Sequence, residues 1–154
     1  MQPFTLHLVS WRDGEPLLRS VREAVFMREQ GVPAELEWDE LDESSRHVLA
    51  LNAQGAAIGC GRIVPPVNDG PAHIGRMALL PEWRGKGVGS AIMEHLLEYA
   101  HSQHYARIEL NAQNQATAFY RRFGFVEVGE TFMDAGIPHL RMQLQLASSE
   151  NQTE

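Results

Sequence analysis

The feature that most constrains the fold of this chain is a glycine-rich loop between an apolar run and a helical pattern. The apolar run covers residues 74–80, and the loop that follows soon after reads Arg84-Gly85-Lys86-Gly87-Val88-Gly89-Ser90. Apolar residues then recur at helical spacing through residues 88–100, so the glycines lie at the N-terminus of the predicted helix. The first N–H groups of a helix have no partner within it, and the helix dipole places partial positive charge beside them. This order of strand, loop and helix therefore predicts an anion site, and a phosphorylated cofactor is the simplest ligand.

Two other kinds of phosphate-binding loop fit the same stretch poorly. The loop of a nucleotide triphosphatase has Ser or Thr directly after its lysine, whereas Gly87 follows Lys86 here. A dinucleotide-binding fold has G-x-G-x-x-G directly after a strand, whereas the three glycines here have a different spacing and residues 81–84 intervene. A nucleotide-binding protein is therefore the remotest of the hypotheses for this chain.

Length, charge and cysteine content restrict the class of protein. A chain of 154 residues is long enough for one well-buried core, and we predict one domain over residues 1–146 and a polar, disordered tail over residues 147–154. The formal net charge of −7 disfavours nucleic acid and anionic membranes as partners and favours cationic substrates. A single cysteine, Cys60, together with the lack of a signal sequence or an apolar span, predicts a cytoplasmic protein without disulfides.

The pattern of apolar residues predicts a mixed α/β fold. Strands are predicted at residues 5–9, 47–52, 56–64, 74–80, 106–110, 125–128 and 139–146, and helices at 16–28, 88–100 and 114–123. Asp13 or Gly14 is expected to start the first helix, and Asn114 to cap the last one. Residues 32–45 are predicted to form a loop or a short second helix, and residues 136–138 belong to a loop between the last two strands. The order is β-α-α-β-β-β-α-β-α-β-β, with early strands antiparallel through hairpins and one parallel pair bridged by the central helix.

Several motifs give the chain a resemblance to a known family. Arg84-x-x-Gly87-x-Gly89, after Met77-Ala78-Leu79, resembles the acetyl-CoA motif of the GNAT superfamily of N-acetyltransferases. Residues 116–125, which read Ala-Thr-Ala-Phe-Tyr-Arg-Arg-Phe-Gly-Phe, resemble its second signature, and residues 25–33 and 132–139 are similar to the ElaA-like subgroup. The resemblance covers essentially the whole chain. It implies the mixed fold of that family, in which two parallel central strands splay apart.

The resemblance also implies how acetyl-CoA is held. The pantetheine arm would lie between the splayed strands like an added strand, and the pyrophosphate would reach the main-chain amides of residues 85–90. An amide near Ala78 would stabilise the charge that develops on the thioester oxygen. Gln113 stands where many family members have an asparagine on the pantetheine, and Arg121 or Arg122 either meets the outer phosphate or lies on a solvated helix face. The implied cofactor-binding residues are Met77, Ala78, Leu79, Arg84, Gly85, Lys86, Gly87, Val88, Gly89, Ser90, Gln113 and Tyr120.

The same resemblance implies that Tyr120 is the general acid. A phenol with an ordinary pKa of about 10 is protonated at neutral pH and can donate its proton to a departing thiolate. The alternative is that Tyr120 only packs its helix against the sheet. The general base is left open among Glu29, His73, His139 and a water molecule held by one of them. Glu29 and His139 rank first because both fall in the subgroup-like segments.

Two functions from different classes remain open at this level. The first is a cytoplasmic acetyltransferase that moves an acetyl group from acetyl-CoA to a primary amine of a small molecule or peptide, by direct attack in a ternary complex. The second is a non-catalytic acyl-CoA-binding or sensor module. The acidic residues 35–43 either attract a cationic amine or form a solvated surface. No metal is predicted, because the seven histidines lack companion ligands at metal-binding spacing, and a homodimer is a frequent assembly among relatives.

Overall fold

A computed structural model describes residues 3–146 of the chain, and the tail predicted at residues 147–154 lies outside them. The strands are β1 (Phe4–Ser10), β2 (Arg46–Asn52), β3 (Ala57–Val64), β4 (Ala72–Leu79), β5 (Arg107–Gln113), β6 (Val126–Asp134) and β7 (Ile137–Gln145). The α-helices are α1 (Trp11–Arg22), α2 (Ala34–Glu37), α3 (Leu41–Ser44), α4 (Val88–Ser102) and α5 (Thr117–Arg121). The predicted mixed α/β fold is confirmed.

The chain divides into two compact units. The first unit contains the described part of Met1–Val64 together with Ile74–Tyr99, and the second contains Pro65–His73 together with the described part of Ala100–Glu154. The prediction of a single domain over residues 1–146 stays a prediction.

In the first unit the strands lie in the order β1-β2-β3-β4, and β1, β2 and β3 pair antiparallel. One face of this sheet packs against α1 and the residues after it, through a core that includes Leu18, Val25, Leu49, Cys60 and Ala78. This core anchors the strand from which the glycine-rich loop begins.

The opposite face of the first unit's sheet holds α4 at close range because β3 carries two glycines. A Cβ atom on Gly59 would lie 2.6 Å from Leu79 Cδ2. A Cβ atom on Gly61 would lie 2.9 Å from both Ile92 and Leu96, two residues of α4. Both distances are shorter than side chains tolerate, so the bare backbone of β3 lets α4 approach. The position of the glycine-rich loop at the start of α4 depends on this contact.

The first helix differs from the prediction at both of its ends. It begins at Trp11, not at Asp13 or Gly14, because the Ser10 hydroxyl caps it by accepting a hydrogen bond from the Asp13 N–H at 3.1 Å. After Arg22 the chain widens into a π-helix over Glu23–Glu29, in which the Gln30 N–H donates to the Val25 carbonyl. A π-helical turn often marks a functional position. The predicted second helix is instead two short helices, α2 and α3.

In the second unit the strands lie in the order β5-β7-β6, and both pairs are antiparallel. Ile108, Leu110, Ala112 and Met142 form its buried face together with Phe125. The structure corrects two details. Asn114 starts a 3₁₀ turn and its side chain does not cap α5, and β6 continues to Asp134 so that the last two strands meet at a tight turn. Pro138 lies within β7, at the second residue of the strand, where the missing N–H is tolerated.

Candidate functional site

The glycine-rich loop has an unusual backbone conformation and several N–H groups without a backbone acceptor among the described residues. Gly85 and Gly87 have φ values of 75° and 87°, a region that L side chains rarely adopt. Along the main chain the Arg84 N–H donates to Pro81 and the Ala91 N–H donates to Gly87. Between them, no N–H from Gly85 to Ser90 donates to another backbone carbonyl within residues 3–146. The predicted set of free donors is therefore present at the start of α4, on a loop that is exposed from Arg84 to Gly87.

Arg84 is the most heavily engaged residue of this loop. Its guanidinium donates to both carboxylate oxygens of Glu29, at 2.7 and 2.9 Å, and to the Leu79 carbonyl at 2.8 and 3.1 Å. These bonds tie together the end of β4, the start of the loop and the last residue of the π-helix. They also occupy donors of Arg84, which the resemblance implies to be one of the cofactor-binding residues, so the free cation of the loop is Lys86 within the described part of the chain.

The same contact changes the chemistry of Glu29. The hydrogen bonds and charge of Arg84 lower the pKa of the Glu29 carboxyl from its ordinary value of 4.5. A carboxylate that already accepts two charge-assisted hydrogen bonds is a weaker proton acceptor. The pairing with Arg84 therefore makes Glu29 a less favourable candidate for the general base.

The strand that leads into the loop is irregular. Arg76 has a φ of 52°, although it is not a glycine, and its carbonyl accepts a hydrogen bond from the Cys60 thiol at 3.3 Å. Met77, Ala78 and Leu79 follow directly, and Ala78 is buried. Local backbone strain of this kind is found at functional positions. Of the three, Leu79 has its carbonyl occupied by Arg84, so a ligand that bonds to the backbone here would have to use other groups.

Tyr120 lies in the second unit, on α5, with 8% of its surface exposed. Its ring makes edge contacts with Phe119 and Phe125, at centroid distances of 5.1 and 6.2 Å. Burial raises the pKa of the Tyr120 phenol to about 12. The side chain therefore stays protonated through the physiological range and is available as a proton donor, not as a base.

His139, another of the base candidates, is almost fully buried on β7. It lies on β7 opposite Gln113, is 9% exposed and stacks on Phe132 at 5.9 Å. Its Nδ1 is 2.7 Å from the Ile137 carbonyl, which only accepts, so Nδ1 carries a proton and, in the neutral imidazole, Nε2 is the atom with the lone pair. His73, the third candidate, has its Nε2 3.6 Å from the Glu109 carboxylate and is half exposed.

Part of the acidic segment that includes α2 and α3 forms ion pairs within the first unit, an arrangement that was not predicted from the sequence. Three of its carboxylates pair with three arginines in what we call the arginine–carboxylate cluster: Arg22, Glu37, Asp39, Asp42, Arg62 and Arg76. Arg22 is fully buried and bonds Glu37 at 2.6 Å and Asp42 at 2.8 Å. Burial alone would raise the pKa of Asp42, but the hydrogen bonds and charges of Arg22 and Arg62 outweigh it and lower that pKa. These carboxylates are neutralised inside the first unit, and Glu40 and Glu43 remain as exposed acids.

One polar groove was not anticipated from the sequence. It is an open cavity of about 410 Å³ in the second unit, lined by Asn111, Val128, Gly129, Glu130, Phe132 and Arg141. Its charged residues belong to no recognisable motif. The one signal in the sequence is Gly129, which interrupts an otherwise alternating strand.

Two other features are absent from the described residues. Within residues 3–146, no helix is long and apolar enough to cross a membrane. In the same range, no group of three His, Cys, Asp or Glu side chains is arranged to hold a metal ion.

Comparison with protein families and known sequences gives a consistent result. Residues 15–146 match the model of a family described as an acetyltransferase (GNAT) domain. The chain is 42% identical, over 123 residues, to an uncharacterized N-acetyltransferase, YjcF of Bacillus subtilis, covering 79% of this chain and 86% of YjcF. It is 34% identical, over 128 residues, to the protein ElaA of Escherichia coli, covering 81% of this chain and 83% of ElaA.

Solved structures with the same fold include two from bacteria. The crystal structure of Escherichia coli ElaA matches with a TM-score of 0.83 and 28% identity, over 92% of this chain and 99% of that one. An acyl-CoA N-acyltransferase from Pseudomonas aeruginosa matches with a TM-score of 0.82 and 30% identity, over the same shares of the two chains.

Proposed function

Since this chain belongs to the GNAT family of acetyltransferases and is an acyltransferase, we propose that it transfers an acetyl group from acetyl-CoA directly to a primary amine. The predicted membership of that family, with similarity to ElaA, is confirmed. The acyl donor of such a protein is an acyl-CoA. The proposal goes further in naming the acetyl donor, the amine and the residues that act.

The observation that carries the proposal is the set of free main-chain N–H groups from Gly85 to Ser90. Gly85 and Gly87 adopt positive φ values, which glycine tolerates, and the absence of side chains at the glycines lets a diphosphate approach the backbone. Lys86 adds a free positive charge. In this proposal Arg84 shapes the loop through Glu29 and Leu79 instead of contacting the phosphates with its whole guanidinium.

The transfer itself needs one proton removed and one supplied. The amine nitrogen attacks the thioester carbonyl carbon, the carbon–sulfur bond breaks, and the sulfur leaves as a thiolate. We assign the proton for that thiolate to Tyr120, because burial keeps its phenol protonated. We assign the amine proton to Nε2 of His139, directly or through water, because its Nδ1 is fixed by the Ile137 carbonyl. The amide of Ala78 is the proposed donor to the thioester oxygen.

A transfer without a covalent enzyme intermediate agrees with the state of the single cysteine. Cys60 is 1% exposed, and burial raises the pKa of its thiol to about 12. A thiolate is the nucleophilic form of cysteine, and it is scarce at such a pKa. Cys60 is therefore a core residue, and a ternary complex is the proposed mechanism.

Replacement of Tyr120 by phenylalanine tests the chemistry. The change keeps the ring that packs against Phe125 and removes only the proposed proton donor. We expect Tyr120→Phe to lower kcat by about 100-fold or more, with a Kd for acetyl-CoA that changes little. Thiol release with a panel of primary amines measures kcat, and calorimetry measures the Kd.

Tyr105→Phe is the matched control, because it removes a hydroxyl from a second, half-buried tyrosine in the same unit as the buried Tyr120. Its kcat should stay close to that of the wild type. An unchanged kcat in Tyr120→Phe would remove the proposed role of Tyr120. Binding of acetyl-CoA without thiol release from any amine would favour a sensor over the proposed transfer.

A further inference from the structure

The open face of the second unit's sheet carries a groove with paired opposite charges that do not meet. In the register of β5 and β7, Asn111 lies opposite Arg141, and in that of β7 and β6, Arg141 lies opposite Val128. Residues directly opposite each other in antiparallel strands point to the same face. Ile108, Leu110 and Ala112, which are buried, alternate with Asn111 and occupy the other face. Asn111, Arg141 and Val128 therefore form one row across the floor of the groove.

A bulge in β6 gives the groove its depth. Between Val128 and Phe132, β6 contains two more residues than β7 contains between Arg141 and His139. Gly129, with a φ of 82°, allows the extra residues to leave the plane of the sheet. Glu130 lies on this bulge, and Phe132, which stacks on His139, lines the groove beside it. Bulges of this kind redirect side chains next to functional sites.

The charges in the groove are not neutralised by the protein. Among residues 3–146, neither Arg141 nor Glu130 has an oppositely charged group within ion-pair distance, although both line the same cavity. On the same face, the Glu109 carboxylate accepts a hydrogen bond from the Gln143 amide at 2.5 Å and lies 3.6 Å from Nε2 of His73. An anion alone would gain Arg141 and be repelled by Glu130, and the reverse holds for a cation. A ligand that carries both charges satisfies both residues.

We infer that this groove binds a small zwitterion with an ammonium and a carboxylate group, as in the headgroup of an amino acid. The Arg141 guanidinium and the Asn111 amide bind the carboxylate, the Glu130 carboxylate binds the ammonium, and the Phe132 ring covers the carbon chain. A volume of about 410 Å³ fits a molecule of the size of an amino acid. The inference rests on the proposed function only in one respect, namely that this molecule is the acyl acceptor. An acceptor of this kind carries a second amine, to which the acetyl group is transferred.

Three small amines of similar length test the contacts of the carboxylate and of the α-ammonium separately. Lysine has the α-ammonium, the α-carboxylate and a side-chain amine, 1,5-diaminopentane lacks the carboxylate, and 6-aminohexanoate lacks the α-ammonium. Calorimetry with the full chain, in the absence of any acyl-CoA, should show that lysine binds about tenfold or more tightly than either analogue. Equal affinities for the three molecules, or no heat from lysine, would overturn the inference.

Variants assign each charge to its residue. Arg141→Gln should lower the affinity for lysine to that for 1,5-diaminopentane, and Glu130→Gln should lower it to that for 6-aminohexanoate. Arg107→Gln is the control, because Arg107 lies on the same face of β5 as Asn111 but does not line the groove. Wild-type affinity for lysine in both Arg141→Gln and Glu130→Gln would refute the site.

Thiol release with acetyl-CoA separates this inference from the proposed function. With lysine as acceptor, Arg141→Gln should raise KM and leave kcat unchanged, as expected for a residue that only binds the acceptor. Tight binding of lysine without thiol release from any amine would uphold the site and overturn the transfer. Acetylation of other amines by a protein that neither binds nor acetylates lysine would uphold the transfer and overturn the site.

Discussion

The arginine–carboxylate cluster and the glycine-rich loop both belong to the first unit and both concentrate polar groups, yet they differ in whether those groups have partners. In the cluster, each of the three arginines bonds at least one carboxylate and Arg22 is completely buried, although the buried Nε atoms of Arg62 and Arg76 have no hydrogen-bond partner among the described residues. In the loop, the amides from Gly85 to Ser90 have no backbone acceptor within the described residues, and much of the loop is exposed. Satisfied polar groups stabilise a fold, whereas free donors on the surface bind a ligand.

The cluster and the loop also differ in how many of their charged side chains are paired. The residues near Trp38 have the highest density of acidic side chains in the sequence. Most of the carboxylates that the structure describes there form ion pairs with arginines from α1, β3 and β4. The loop carries one free cation, Lys86, beside main-chain amides that are uncharged. The cluster should therefore control stability, and the loop should control affinity for acyl-CoA.

The largest expected effect is the loss of acyl-CoA binding in Gly87→Glu. The substitution puts a carboxylate beside the free amides and imposes a side chain at a φ of 87°. We expect no binding of CoA at concentrations that saturate the wild type, measured by calorimetry. Gly55→Glu is the matched control, since Gly55 has a φ of 83° and equally open surroundings in the turn between β2 and β3. It should lose the same small amount of stability and keep its affinity for CoA.

The next effect is on stability. Arg22→Met removes the buried partner of Glu37 and Asp42 and should cost about 3–5 kcal/mol of unfolding free energy. The expected fall in Tm is roughly 10 °C. Arg19→Met, one turn earlier on α1, breaks a pair with Glu15 whose side chains are 43% and 40% exposed, and should cost about 1 kcal/mol or less.

We expect the folded fraction of Arg22→Met to bind CoA with the affinity of the wild type, which would show that the cluster affects stability and not the affinity of the loop for CoA. Thermal unfolding and calorimetry on the same samples measure both quantities. Equal losses of stability in Arg22→Met and Arg19→Met would show that the buried cluster does not have the role given to it.

The smallest effect concerns Glu29, which links the loop to the π-helix. Because Arg84 lowers the pKa of Glu29 below 4.5, the carboxylate is mostly ionised at pH 4.5, and its contribution to stability is lost as the pH falls through the lowered pKa. A decrease in kcat/KM whose midpoint lies above pH 4.5 therefore comes from another group. We expect Glu29→Gln to keep the midpoint of that decrease in a pH–rate profile. Its disappearance in Glu29→Gln would identify Glu29 as the base.

Much of the loop region could be predicted from the sequence because its signals are local. Helical periodicity after residue 88 and the spaced glycines indicate a helix N-terminus without reference to any other part of the chain. The bond between Arg84 and Glu29 could not be predicted in this way, since it joins residues 55 positions apart. The same limit applies to the cluster, where the sequence gives the charge of each residue and not its partner.

In the second unit, too, local features could be predicted from the sequence and long-range contacts could not. Strands β5 and β7 follow from their apolar residues, but β6 is longer than predicted because the bulge at Gly129 breaks its alternation. Pro138 was expected in a loop because proline rarely lies within a strand, and its tolerance depends on its place beside the turn. The groove arises from that bulge, so its charged residues could not be grouped before the pairing of β6 and β7 was known.

The central claim is that the free amides of the glycine-rich loop bind the diphosphate of an acyl-CoA. Calorimetry with pantetheine, 4′-phosphopantetheine and CoA tests it most directly, because the three molecules share one arm and differ first in a phosphate. We expect 4′-phosphopantetheine to bind about 100-fold more tightly than pantetheine, and Gly87→Glu to abolish this difference. Equal affinities of the wild type for pantetheine and 4′-phosphopantetheine would contradict it.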